Sequence, residues 1–350
     1  MFTRFLNLIL IAVIFFSCKK KEEPAALPLV ETTFQNPLLE HGPDPWVFQK
    51  DDVYYLMHST GNSLKIYRTK SMSKLATAES KTVWTPPPTG MNSKEIWAPE
   101  LHFVEGKWYI YYAADDGKND NHRMWVLENE SPDPFVGEWI DKGKLNLADD
   151  RWAIDGTIFK HNNILYYLWS GWDGPKNGRQ DIYISKLSNP WTAEGPRVLL
   201  SKPELEWETK GTSDELPTVN EGPQFLSKGD KLFIIYSASG CWTDEYTLGM
   251  LTANKDADLM NPASWVKSSN PVFTKSPEGN VFGPGHNSFF QSPDGTEDWI
   301  IYHANPEAGQ GCGEKRSPRM QRFTWNAAGE PEFGVAASLS INLVIPSGEK

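Results

Sequence analysis

Cysteine is scarce in this chain, with three in 350 residues. None stands at metal-thiolate spacing, which argues against a zinc site built on cysteine. Positive charge is also short: 34 Lys and Arg face 45 Asp and Glu, and no basic patch stands out. The net charge of −11 therefore speaks against a nucleic-acid partner, whose phosphates need cations. Helical periodicity is nearly absent. The one long apolar run, at 6–16, is too short to span a bilayer comfortably.

That run follows Arg4 and ends in Ser17-Cys18, so residues 1–18 read as an export signal. A cysteine there, followed by Lys19-Lys20-Lys21-Glu22-Glu23-Pro24, resembles a bacterial lipoprotein signal with lipidation at Cys18. The expected location is exported and lipid-anchored, at the outer membrane, the cell surface or the periplasmic face. Residues 19–33 are polar and contain proline, as a flexible tether would be. Residues 34–350 show no shift in composition and read as one domain. Cys241 and Cys312 both follow the second strand of neighbouring repeats. A disulfide between them and a pair of free buried thiols are both open.

Abundance lies in turns and aromatics: 27 Gly, 26 Pro and 15 Trp, enough for an all-β chain of many turns with a large core. One pattern occurs five times: a polar lead residue, a short apolar strand, a turn, and an aromatic-rich strand. Asp44-Pro45-Trp46 leads to Val53-Tyr54-Tyr55-Leu56. Glu100-Leu101-His102-Phe103 leads to Trp108-Tyr109-Ile110-Tyr111, and Asp155-Gly156-Thr157-Ile158 to Leu165-Tyr166-Tyr167-Leu168. Glu221-Gly222-Pro223-Gln224 and His286-Asn287-Ser288-Phe289 open the last two copies. The leads are separated by 56, 55, 66 and 65 positions. Hairpin turns repeated at this period, with third and fourth strands after each hairpin, predict a five-bladed β-propeller. The first strand of each blade would then line the axis, and the five lead residues would form a ring at one mouth.

Acids held on different blades suit glycoside hydrolysis by inversion, in which two carboxyl groups flank the bond and leave room for a water. His41-Gly42-Pro43-Asp44-Pro45, Trp97-Ala98-Pro99-Glu100, Ile154-Asp155-Gly156, Asn220-Glu221-Gly222-Pro223 and Gly285-His286-Asn287-Ser288 together resemble glycoside hydrolase family 43. The resemblance runs in order from about Phe34 onward. It implies Asp44 as general base, Glu221 as general acid, and Asp155 as the residue that orients Glu221 and keeps its pKa raised. It also implies that His286 contacts a central calcium or only waters, with no cofactor required. Glu100 is expected to bind substrate or to hold the second blade. Trp97, Trp152, Trp172 and Trp242 are expected to offer stacking faces to sugar, and Arg319 or Arg322 to reach the pocket from the last repeat.

The expected substrate is an arabinose- or xylose-containing glycan, cleaved by a monomeric, exo-acting α-L-arabinofuranosidase. β-Xylosidase, β-galactofuranosidase and endo-arabinanase remain open within the family, and a non-catalytic glycan-binding lipoprotein outside it. Long loops at 116–122, 173–179 and 305–317 are expected to wall the cleft.

Overall fold

The computed structural model describes Met1, residues 32–213 and residues 215–350. Apart from Met1, the expected leader with Cys18, and the tether up to residue 31, lie outside the described residues.

The described chain is all-β, interrupted only by short 3-10 turns. Strand β1 (Thr33–Phe34) comes first. It is followed by a sheet of β2 (Trp46–Lys50), β3 (Val53–Met57), β4 (Leu64–Thr69) and β5 (Glu79–Trp84). The second sheet has β6 (Lys94–Val104), β7 (Lys107–Asp115), β8 (Arg123–Asn129) and β9 (Ile140–Lys144). The third has β10 (Ala153–His161), β11 (Ile164–Trp172), β12 (Arg179–Asn189) and β13 (Thr192–Ser201). The fourth has β14 (Thr218–Lys228), β15 (Lys231–Ala238), β16 (Thr247–Asn254) and β17 (Val266–Lys267). The fifth has β18 (Phe282–Gln291), β19 (Asp298–Asn305), β20 (Ser317–Trp325) and β21 (Pro331–Glu332), and β22 (Leu343–Val344) ends the series.

Each group of four pairs as an antiparallel meander. Short turns such as Glu105-Gly106, where both residues take positive φ, reverse the chain between consecutive strands. A two-residue parallel pairing, Arg179↔Thr218 and Gln180↔Val219, joins β12 of the third sheet to β14, the first strand of the fourth.

The core is divided among the spaces between sheets. Tyr55, Met57 and Ile66 pack with Leu101, Trp108 and Ile110. Tyr111 and Val126 pack with Ile154, Tyr167 and Trp169; Leu168 and Ile182 pack with Ile234 and Tyr236. Phe233 and Ile235 pack with Ile300 and Tyr302, and Ile301 and Met320 return to Tyr54 and Leu56. The five clusters therefore follow the sheets in cyclic order, with sheet five against sheet one. A buried aliphatic or aromatic side chain of this size is worth about 1.5–3 kcal/mol, so each interface is a substantial hydrophobic contact.

Polar ties close the same seam. The Tyr54 hydroxyl donates to the Gln291 carbonyl at 2.6 Å, and the Val47 amide donates to the Ser288 hydroxyl at 2.9 Å. The chain ends add a further tie, as β1 pairs with β22 through Thr33↔Val344. The segment from Pro331 gives the outer strand β21 and then β22. The expected third strands appear as β4, β8, β12, β16 and β20.

Candidate active site

The first strands β2, β6, β10, β14 and β18 contact one another in a closed series, β18 returning to β2. In the last four, pairing with the second strand breaks by a bulge: between Trp97 and Glu100, Ile154 and Thr157, Glu221 and Gln224, and Gly285 and Ser288. At the corresponding point of every repeat one residue is left-handed: Asp44 (φ 57°), Ala98 (41°), Asp155 (55°), Gly222 (55°) and His286 (48°). Asp and His tolerate this region better than most side chains, and such strain is characteristic of functional sites.

The bulge corrects the expectation of five lead residues in one ring. Asp44, Asp155 and His286 are the left-handed residues themselves. Glu221 precedes its bulge by one residue, and Glu100 follows Ala98 by two. The side chains of a strand alternate in direction, so those offsets change what each acid meets.

Asp44, Asp155, Glu221 and His286 line one cavity of about 560 Å³, inside the range of about 300–1,000 Å³ usual for small-molecule sites. Asp44 is held on both oxygens. Its Oδ2 accepts from the Ser59 hydroxyl at 2.6 Å, and its Oδ1 lies 3.3 Å from Arg316 Nη1, 3.3 Å from His286 Nδ1 and 3.4 Å from His303 Nδ1. Burial alone would raise its pKa. The neighbouring His286, Arg316 and His303 outweigh burial and hold the carboxyl well below its usual range. Burial lowers the pKa of His286 and pushes His303 down to about 4, so the standing positive charge at neutral pH is Arg316.

Glu221 has the opposite setting. Protein surrounds its carboxyl except where it opens on the cavity. Burial, reinforced by the charge of Asp44, raises its pKa to about 7, although the Tyr246 hydroxyl donates to Oε1 at 2.8 Å and opposes the rise. Asp155 is raised well above its ordinary value, first by burial and then by Glu221 and Asp44, while its Oδ2 accepts the Gly222 amide at 3.0 Å. Glu221 and Asp155 thus compete for protons, and Asp155 fixes the backbone immediately after Glu221. Room for Tyr246 depends on a glycine: a Cβ at Gly285 would fall 2.3 Å from the tyrosine ring.

The predicted tryptophans divide. Trp97, Trp152 and Trp242 line the cavity. Trp97 is stacked on His122 with ring centres 4.0 Å apart, and the Trp242 indole donates to the Gly211 carbonyl at 2.8 Å. Trp172 does not reach the cavity: it is 2% exposed and stacks behind Trp152 at 5.1 Å. It is the support of a stacking face rather than the face.

Glu100 does not reach the cavity either. It is buried, with Oε2 2.8 Å from His102 Nε2 and Oε1 accepting from Gln224 Nε2 at 2.5 Å, so it ties sheet two to sheet four instead of meeting substrate. Arg319 is fully buried and donates to the carbonyls of Asn280 and Ala304, while Arg322 pairs with Glu297 on a half-exposed site away from the cavity. The arginine that does reach the site is Arg316, inside the loop expected to form a wall.

Ser59, two residues beyond β3, and His303, two residues before the end of β19, gave no sequence signal because nothing marks a strand end that faces a bulge. Cys241 and Cys312 are joined as a disulfide in the cavity wall, linking the loop of Trp242 to the loop of Glu314 and Arg316. The other expected walls contribute Asn119 and Asn177, and Leu216-Pro217 adds one that was not expected.

The axial calcium has little to hold it. Among the described residues no group of three or more His, Cys, Asp or Glu side chains converges as an ion site. Beside His286, Asn287 offers a buried amide oxygen with no partner. The protein would offer a calcium there one imidazole and one amide oxygen, and waters would have to supply the rest of its six to eight oxygens.

Comparison with known proteins places this arrangement. Residues 34–331 match Glycosyl hydrolases family 43. An extracellular exo-α-(1→5)-L-arabinofuranosidase of Streptomyces avermitilis is 39% identical over 312 residues, 87% of this chain and 63% of that protein. The protein of the same description from Streptomyces chartreusis is 38% identical over 276 residues, 77% of this chain and 82% of that one. The crystal structure of an α-L-arabinofuranosidase from Lactobacillus brevis superposes with a TM-score of 0.82 at 38% identity, covering 88% of this chain and 98% of the other. The chain thus spans less than two thirds of the Streptomyces avermitilis relative and nearly all of the Lactobacillus brevis structure.

Proposed function

This chain belongs to glycosyl hydrolases family 43, and from that premise we propose that it is an inverting, exo-acting α-L-arabinofuranosidase. Its five meanders act as the blades of a β-propeller, with the cavity at one mouth of the axis. The observation that carries the reading is the divergence of two carboxyls in one cavity: Asp44 stays ionised while Glu221 keeps its proton to about pH 7. An acid and a base side by side at the same pH are what single-displacement hydrolysis needs.

In this mechanism the Asp44 carboxylate takes a proton from a water. The water oxygen bonds to the anomeric carbon from the face opposite the leaving group. Glu221 donates its proton to the glycosidic oxygen as that C–O bond breaks, giving inversion. Asp155 holds the Gly222 amide and so the direction of Glu221, while burial and the charge of Asp44 keep the Glu221 pKa raised. Trp97, Trp152 and Trp242 supply apolar faces for the sugar. No step is routed through an ion.

Exo action is supported by the enclosure. Loops from several repeats, carrying Asn119, Asn177, Trp242 and Glu314, stand around the cavity, and two relatives are described as exo enzymes. All three carboxylates come from one chain, consistent with a monomer. Export with a lipid anchor at Cys18 rests on the leader sequence and on relatives described as extracellular.

The test is a panel of aryl glycosides (α-L-arabinofuranoside, β-D-xyloside, β-D-galactofuranoside) and α-1,5-linked arabino-oligosaccharides, with the product anomer followed by proton NMR. Release of single arabinose units as the inverted anomer is expected. Activity confined to xyloside or galactofuranoside moves the substrate. Initial formation of the retained anomer would overturn the mechanism.

A further inference from the structure

The hydrogen bonds of Ser59 go beyond those of an incidental neighbour. Ser59 is the last residue but one before the bridge Gly61↔Ile96 that fastens sheet one to sheet two. It is buried, and its amide donates to the Pro43 carbonyl at 3.0 Å, immediately before Asp44. Its hydroxyl makes two contacts, both short. The Ala98 amide lies 2.6 Å from Oγ, and Oγ lies 2.6 Å from Asp44 Oδ2.

An amide nitrogen can only donate. The Ala98 N–H therefore occupies a lone pair of Oγ, and the one hydroxyl hydrogen is left for Asp44. The direction of the second bond follows from the ionised Asp44, which can only accept. A hydroxyl that donates to a carboxylate makes a charge-assisted bond, which stabilises the ionised form over the protonated one. Ala98 is itself the left-handed residue of the second bulge, so its amide is aimed by backbone geometry rather than by a mobile side chain.

We propose that Ser59 is a positioning residue for the base: it passes the orientation of the Ala98 bulge in the second sheet to Oδ2 of Asp44 in the first. Oδ1 is crowded by Arg316, His286 and His303 at 3.3–3.4 Å. Among the described residues Ser59 is the one hydrogen-bond partner of Oδ2, so Ser59 fixes the oxygen with the freer lone pair, the one placed to receive the proton of water. This inference rests on the reading of Asp44 as base.

The experiment is the pH dependence of kcat/KM for Ser59→Ala and Ser59→Thr beside wild type. With the hydroxyl removed, the acid limb set by Asp44 should move up by about one unit, a tenfold change in its ionisation. At the plateau kcat should fall about tenfold with KM nearly unchanged, less than the 10²–10⁴-fold that the base itself supplies. Ser59→Thr keeps the hydroxyl and should restore the acid limb. The alkaline limb, set by Glu221, should stay in place in both. Ser59→Gly removes the same hydroxyl and serves if the alanine protein does not fold. An acid limb unmoved in a folded Ala or Gly variant, or both limbs moving together, would overturn the proposal. Asp44→Asn is measured in parallel. If it retains activity, the assignment of the base fails. If it is inactive while Ser59→Ala matches wild type, only the role of Ser59 fails.

Discussion

Glu100 on β6 and Glu221 on β14 are acids set beside the same kind of bulge on first strands of the same closed series. Glu100 stands after its bulge and is buried against His102 and Gln224, which take up both carboxyl oxygens. Glu221 stands before its bulge and opens on the cavity, with one protein donor, Tyr246. A carboxyl whose hydrogen-bonding capacity is consumed by protein holds sheets together. One with capacity left over, in a site that raises its pKa, can give a proton away. Residue type is equal in the two places, so position relative to the bulge makes the difference.

The contrast is sharpest in turnover. Glu221→Gln and Asp44→Asn should each lower kcat by about 10³-fold, within the 10²–10⁴ range for proton-transfer groups, in proteins that still fold. Glu100→Gln should leave kcat within about threefold. Loss of activity in Glu100→Gln comparable to that of Glu221→Gln would break the comparison. The same logic separates the tryptophans. Trp97→Ala or Trp242→Ala should raise KM about tenfold through a lost stacking face, while Trp172→Phe should change KM far less because its neighbour Trp152 still faces the cavity.

The pH profile follows from the sign of the shifts. Activity needs Glu221 protonated, so kcat/KM should fall about tenfold per unit above roughly pH 7. Stability should move against function at this residue. Between its unfolded pKa and about 7, the folded protein holds more protons at Glu221 than the unfolded chain does. Stability contributed there is therefore present at low pH and lost as pH rises. Glu221→Gln should thus melt higher than wild type at pH 8 and equally at pH 4, by on the order of 1–2 kcal/mol after allowing for the solvent-facing edge. Glu100→Ala should act in the reverse sense: two buried partners lose their acceptor, costing about 1–3 kcal/mol in denaturant unfolding. That variant carries the smallest expected effect on kcat.

The sheets, their order and the three carboxylates were legible in the sequence, because apolar strands and turns recur at fixed intervals and each carboxylate opens one of them. The partners of those acids were not. Ser59, His303 and Arg316 come from strand ends and a loop of the first and fifth repeats, and only closure of sheet five on sheet one brings them to Asp44. Glu100 takes the second of its two expected roles, tying the second sheet to the fourth, because it stands past its bulge; Trp172 was misread because a stacked pair of tryptophans presents one ring to the cavity. Arg319 was misread because it lies on the regular part of β20, whereas the useful arginine precedes the strand.

The disulfide between Cys241 and Cys312 also dates an event in the life of the protein. Its two cysteines lie 71 positions apart and belong to the fourth and fifth meanders, so oxidation must wait until nearly all of the repeats have been made. Once it forms, the wall that carries Trp242 and the loop that carries Arg316 are committed to each other. A chain that reached that stage in a reducing compartment would have its sheets and its carboxylates but not the crosslinked wall. Completion of the crosslinked wall therefore requires oxidising conditions.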